Sequence, residues 1–301
     1  MKSPPKSSGQ AGFGVRPKPF LKWAGGKRAI LAELIARLPD RIEHYIEPFL
    51  GGGALFFELA RQRQIGTAVL NDRNPELIAT WRAVRSDAAG VCRAARQWSN
   101  DEETYYQVRA ASLADPIEAA ARVVWLNRHC FNGLYRINQK GGFNVPYGRY
   151  KSTRIDEDNL LACSEALAAV ELRSEDFESI MAGAPRGAVL YCDPPYWPLS
   201  ETSSFTAYDG FPFTSADQRR LAAAFHALPA RGARGLLSNS STPDTHGLYD
   251  TLDLRLVQVR RSINRDVNGR GEVDEILVGV GDLPGRRDHA EAHRPRKRRR
   301  S

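Results

Sequence analysis

The chain reads as an α/β protein built on a nucleotide-binding unit, and three observations predict it. First, a short apolar segment from His44 to Phe49 runs into Gly51-Gly52-Gly53; an apolar helix follows over Ala54 to Ala60, and a second strand from Thr67 to Leu70 ends on Asn71-Asp72. That order of strand, glycine turn, helix, strand and acid belongs to units that hold a nucleotide at the carboxyl ends of parallel strands. Second, the buried-strand pattern Gly187 to Cys192 delivers another acid to the same kind of position, in Asp193-Pro194-Pro195-Tyr196. Third, 301 residues with 42% hydrophobic and 26% charged side chains have the balance of a folded chain with a sizeable core.

In chain order, residues 1–18 are rich in Pro, Gly, Ser and Lys and lack apolar periodicity, so they read as a disordered basic tail. They contain no apolar run of the kind a secretory signal needs. After Phe20-Leu-Lys-Trp-Ala-Gly-Gly-Lys27, the spacing of Ile30, Leu31, Leu34, Ile35 and Leu38 predicts a helix closed by Pro39. Residues 76–126 lean helical, with Trp81, Trp98 and Trp125 available for packing. Residues 127–154 have no regular period and read as inserted between two parts of the sheet. A helix over Ala216 to Leu228, capped from Thr214, leads to a strand at Gly235 to Leu237 and the polar exit Ser238-Asn239-Ser240. Arg255 to Val259 and Glu275 to Val280 form an expected antiparallel pair across a polar loop. Residues 282–301 read as a second disordered, Arg-rich tail.

The net charge of +8 is misleading about the folded body, because the tails carry +4 (residues 1–18) and +6 (residues 286–300), leaving −2 between them. The internal segment Asn127 to Arg154 is different. It has six basic residues, no acid, and Phe131, Tyr135, Phe143, Tyr147 and Tyr150. Basic groups neutralise phosphates and aromatic faces stack on bases, so the segment suits a nucleic acid; a solvated loop with packed aromatics is the alternative. Cys92, Cys130, Cys163 and Cys192 are scattered with no C-x-x-C pair, which argues for a reducing compartment and against a disulfide or zinc scaffold. No apolar run approaches the length of a membrane span. A soluble, cytoplasmic protein is expected.

The glycine turn lets a backbone approach a ligand closely, and Asp72, 21 residues beyond Gly51, is spaced to hold ribose hydroxyls. Leu55 and Phe56 break the G-x-G-x-x-G pattern, which disfavours a nicotinamide cofactor. Trp23-Ala-Gly-Gly-Lys27 lacks both the first glycine and the Ser/Thr of a phosphate loop. The Asp-Pro-Pro-Tyr turn is made rigid by its prolines. It presents the Asp193 carboxylate and the Pro194 carbonyl as acceptors and Tyr196 as a flat face, which suits a planar base with an exocyclic amino group. His44, His129, His226 and His246 show no ligand spacing, and no metal is expected.

With these residues in view, the chain resembles the Dam-type DNA adenine-N6 methyltransferases. The resemblance rests on the 20–27 and 193–196 motifs above, Glu47-Pro-Phe-Leu-Gly-Gly-Gly-Ala54, Asn71-Asp-Arg-Asn74, Phe131-Asn-Gly-Leu-Tyr-Arg-Ile-Asn138, Phe143-Asn-Val-Pro-Tyr-Gly-Arg-Tyr150 and Arg260-Arg-Ser-Ile263, in that family's order. It implies a Rossmann-like S-adenosylmethionine-dependent methyltransferase sheet (19–75 and 170–281) with an inserted, mainly helical target-recognition domain (76–169). On the cofactor side it implies Trp23, Lys27, Glu47, Gly51, Gly53, Asp72 and Asp193, with Asp176 and Phe177 at the cofactor's adenine. The catalytic residues would be Asp193, Pro194 and Tyr196.

For duplex DNA the resemblance implies Arg128, Phe131, Asn132, Leu134, Arg136, Asn138, Arg149 and Lys151. Leu134 and Arg136 would meet bases, Arg149 a phosphate, and Phe131 stands where a related enzyme inserts a tyrosine. Tyr135 and Ile137 depart from the residues expected beside Arg136. GATC is the implied target. A monomer acting on nucleoid DNA in the cytoplasm is expected, with a cognate restriction endonuclease as the partner such enzymes can have. An amino methyltransferase acting on RNA or a protein amide, or a nicotinamide oxidoreductase, stays open at this level.

Overall fold

The computed structural model describes residues 14–23, 25, 27–138, 142–151, 153–198, 212–260 and 272–284. Lys140, Arg261-Ser262-Ile263, the loop between the last two strands and most of both tails lie outside the described residues.

Seven strands form one sheet. β1 (Ile42–Glu47), β2 (Ile65–Asn71), β3 (Val170–Arg173), β4 (Val189–Cys192) and β5 (Arg234–Ser240) run parallel, while β6 (Asp253–Arg260) and β7 (Glu272–Val280) are antiparallel. The order across the sheet is β3-β2-β1-β4-β5-β7-β6, so β7 slots between β5 and β6. All four residues of β4 are buried, as expected for a central parallel strand covered on both faces. The strand order reverses between β1 and its neighbours β2 and β4, which puts the glycine turn and Asp193 beside one crevice at the carboxyl ends.

Helices α1 (Leu31–Ile35), α2 (Ala54–Arg61), α7 (Phe177–Ala182), α8 (Ser215–His226) and α9 (Pro243–Tyr249) follow or precede the strands. Between β2 and β3 the chain forms α3 (Pro75–Ala95), α4 (Glu102–Ala110), α5 (Pro116–His129) and α6 (Glu157–Leu167). α3 starts where Asn74 accepts from the Glu76 and Leu77 amides with Pro75 behind it, and Asp101 and Asp115 cap α4 and α5 in the same way. α3 packs on α5 and α6, and its Trp81 stacks on Phe57 of α2 with centroids 5.3 Å apart. One buried cluster runs from Tyr45 and Leu70 of the sheet through Trp81 to Trp125 and Tyr135.

Several local expectations shift. The helix expected over Ile30–Leu38 is a 3₁₀ turn, Lys27–Ile30, and five α-helical residues. Its end tightens through Arg37 N–Leu34 O and Leu38 N–Ile35 O bonds, while the Arg37 guanidinium leaves the helix for Leu277 O and Asp253. The strand expected to stop at Leu237 continues through Ser238, Asn239 and Ser240, all fully buried, because β7 pairs with it as far as Ser240↔Glu275. Thr214 does cap α8, with a reciprocal Asp217 bond.

Candidate active site and DNA face

Asp193 leaves β4 at the crevice with one carboxylate oxygen fully engaged. Lys27 Nζ lies 2.8 Å from Oδ1, and Ser238 Oγ donates to that same atom at 2.8 Å. Tyr191, buried below, shares a 3.0 Å hydrogen bond with Ser238. Among the described residues, Oδ2 takes no hydrogen bond and remains an open acceptor.

The rest of the turn is clamped from beneath. Gln218 Nε2 donates to Pro195 O at 2.8 Å, and Asn239 Oδ1 accepts from Trp197 N at 3.0 Å. Ser240 Oγ donates to Trp197 O at 2.7 Å. Tyr196 donates its hydroxyl to the buried Glu275 carboxylate on β7 at 2.7 Å. Burial, reinforced by the Asp193 and Glu275 charges, holds the Tyr196 phenol well above its usual pKa, so it stays a donor. Lys27 Nζ lies 4.6 Å from the centre of the Tyr196 ring. With Gln218 taking Pro195 O, no donor among the described residues reaches Pro194 O.

Opposite this corner stands the glycine turn. Gly51 and Gly53 have φ of 48° and 63°, and a Cβ on Gly51 would lie 2.6 Å from the Trp23 indole. Gly51 N donates to Asp72 Oδ2 at 2.9 Å, while Asp72 Oδ1 accepts from Asn74 N at 3.0 Å. Glu47 lies beneath, and burial with the neighbouring Asp193 and Asp72 charges raises its carboxyl well above the usual range, against the opposing Tyr45 hydrogen bond. Trp23, Lys27, Glu47, Gly51, Gly53, Asp72 and Asp193 thus converge at one crevice. Asp176 and Phe177 join its edge: Phe177 packs on Phe49, just before the turn, at 5.3 Å, with Phe213 against both rings. Asp176 pairs here with Arg220 at 2.8 Å, and that guanidinium lies 5.0 Å from the Phe177 ring centre.

The basic, aromatic segment follows α5. Two isolated bridges, Cys130↔Tyr147 and Ile137↔Phe143, fold it back on itself. Asn132, with φ of 57°, turns Phe131 outward, half exposed. Arg136 is exposed and braced by Asn144, through Oδ1 at 2.7 Å and the backbone carbonyl at 3.3 Å. Leu134 is half-buried beside it; Asn138, Arg149 and Lys151 are exposed. Arg149 also has a positive φ and a loose 3.4 Å contact to Glu102. Arg128 lies apart from Arg136, in a groove with Lys22, Tyr150, Thr153 and Arg154.

Comparison with known proteins meets this geometry. The family model of the D12 class N6 adenine-specific DNA methyltransferases matches residues 23–263. The chain belongs to the D12 class. Adenine-N6 methylation of DNA is its activity. Among curated relatives, the type II methyltransferase M1.LlaDCHI of Lactococcus lactis subsp. cremoris is 40% identical over 275 residues, covering 88% of this chain and 95% of the relative. M.MjaIII of Methanocaldococcus jannaschii is 39% identical over 283 residues, with 87% and 98% covered. The DNA adenine methylase of Escherichia coli K12 is 38% identical over 265 residues, with 86% and 94% covered.

Several residues of this D12 enzyme that build the corner were not singled out from its sequence: Ser238, Gln218, Asn239 and Glu275. Three polar residues at a strand end were a visible signal, since buried polar groups need partners. Gln218 and Glu275 gave none, because each reaches the turn from another element.

Proposed function

We propose that this D12 methyltransferase uses S-adenosylmethionine to methylate an adenine flipped out of duplex DNA, with GATC as its target. The observation that carries this reading is the Asp193 corner: one oxygen engaged by Lys27 and Ser238, the other an acceptor with no donor among the described residues, beside a clamped tyrosine.

The residues opposite fit the donor. A glycine turn lying against the Trp23 indole, the Asp72 carboxylate for a diol, and the Phe49, Phe177 and Phe213 rings with Asp176 beside them suit an adenosyl group. When bound, S-adenosylmethionine supplies an electrophilic methyl group. Trp23, Lys27, Glu47, Gly51, Gly53, Asp72, Asp176, Phe177 and Asp193 would hold it.

The adenine amino group is a poor nucleophile because its lone pair is delocalised into the ring. Extrusion from the duplex costs a few kcal/mol, and stacking on an aromatic ring such as Tyr196 offsets about 1–3 kcal/mol. Asp193 Oδ2 and Pro194 O accept the two amino hydrogens and localise the lone pair. The clamps on Pro195, Tyr196 and Trp197 keep these acceptors aligned, so little reorganisation is needed. Phe131 and Leu134 would fill and flank the opened stack, and Arg136 would read a guanine, its fork held by Asn144. Arg128, Asn132, Asn138, Arg149 and Lys151 complete the DNA face, and the groove adds Lys22 and Arg154 for the backbone. Residues 19–75 and 170–281 would act as the catalytic unit, residues 76–169 as the reader, in a monomer working on nucleoid DNA. A cognate restriction endonuclease is the partner to seek.

Asp193→Ala should abolish methyl transfer to a GATC duplex, at least a thousandfold, while circular dichroism shows that the variant still folds. Turnover within tenfold of the parent would refute the assignment.

A further inference from the structure

We infer that Tyr135 is a positioning residue that couples target reading to methyl-donor binding, an inference that rests on the donor and DNA assignments proposed above. Tyr135 lies between Leu134 and Arg136 in the recognition segment, yet it is buried and reaches Trp23 on one side and Glu76 on the other. Its ring stacks on Trp23 with centroids 4.8 Å apart and planes at 24°. Trp23 in turn lies against the turn glycines closely enough to exclude a Cβ on Gly51. The Tyr135 hydroxyl donates to Glu76 in the first turn of α3, four residues beyond Asp72. Asp72 itself accepts from Asn74, the residue that caps α3. One phenol therefore bridges the indole wall and the helix rooted beside the Asp72 carboxylate.

A second tie runs in parallel. The buried Asn127 side chain accepts from Lys22 N at 2.7 Å and donates to Lys22 O at 2.9 Å and Gly133 O at 3.2 Å. The segment carrying Trp23 and the recognition turn are thus sewn to the same amide. With Phe143 packed edge-on at 5.7 Å, the Tyr135 ring is hemmed in, so a shift of Leu134 or Arg136 on meeting bases moves the Trp23 wall with it. Linkage makes the effect reciprocal: a donor pressing on Trp23 biases the readers by the same factor.

The test is calorimetric titration of the full chain with S-adenosylhomocysteine, alone, with saturating GATC duplex and with a scrambled duplex. In the parent protein the GATC duplex tightens binding about fivefold or more. In Tyr135→Leu that factor falls to within twofold of unity. Tyr135→Phe, which keeps the ring and removes the hydroxyl link, gives an intermediate factor and serves if Tyr135→Leu does not fold. A purely structural Tyr135 would lower the melting temperature and leave the ratio unchanged. An unchanged ratio in the folded variants, or no duplex effect in the parent, overturns the inference. A parent that binds no S-adenosylhomocysteine at all overturns the donor assignment with it, and the two failures are told apart by that first titration.

Discussion

At the residue scale, the site gives neighbouring acids unlike surroundings. Asp193 is met by a cation and a hydroxyl on one oxygen, whereas Glu47 is buried and, among the described residues, accepts only from the Tyr45 hydroxyl at 3.1 Å. Desolvation raises the folded Glu47 pKa above its unfolded value of about 4.3. The folded state then binds more protons than the unfolded one, so wild-type stability falls as pH rises from the unfolded pKa through the folded one. Glu47→Gln removes that loss. Its stability relative to wild type should grow between pH 5 and pH 8, by up to about 1.4 kcal/mol per pH unit. Urea midpoints at the two pH values check this, and a pH-independent difference would show that Glu47 is ionised in the fold. Asp193 and Tyr196 were legible in the sequence because a rigid turn announces itself through its prolines. Glu275 was not, since a carboxylate on a distant strand carries no local mark of the tyrosine it meets.

At the scale of elements, short-range chemistry decided where helices begin. Asn74-Pro75, Asp115-Pro116 and Thr214 all cap as their side chains allow. The glycine turn is the most constrained junction. Gly53 is the left-handed N-cap of α2, and a Cβ there would lie 2.5 Å from Trp81 of α3. Gly53→Ala combines backbone strain with overpacking and should cost about 2–4 kcal/mol, read as a lowered melting temperature. A loss below 0.5 kcal/mol would mean that Trp81 yields freely. Among the elements that escaped the sequence reading, β3 at four residues, α7 at six and α9 at seven are too short to develop a period, while α6 at eleven was passed over between the basic segment and β4.

Across the whole molecule, the far edge of the sheet is tied to the first helix by a buried cation. Arg37, just beyond α1, donates to Leu277 O at 3.2 Å and to Asp253 O at 3.3 Å, and pairs with the buried Asp253 carboxylate. Desolvation lowers the Arg37 pKa and the Asp253 charge opposes that shift, which is the balance expected of a buried ion pair. Arg37→Ala leaves Asp253 with only the more distant Arg255 contact at 3.5 Å and should cost about 3–5 kcal/mol. Chemical denaturation measures it, and a loss under 1 kcal/mol would mean that water replaces the guanidinium at no cost.

The sequence alone determined the crevice's chemistry: a glycine turn with an acid at the measured spacing, a rigid Asp-Pro-Pro-Tyr corner and a basic, aromatic insertion are all contiguous, and contiguous motifs need only local sterics to act. The tertiary structure alone decided that β7 enters between β5 and β6, that Ser238, Gln218 and Glu275 meet around one turn, and that Tyr135 reaches back to Trp23. Those side-chain contacts join residues 23 to 112 positions apart in the chain. They exist because a shared core fixes the distances between elements, and no local preference along the chain encodes that.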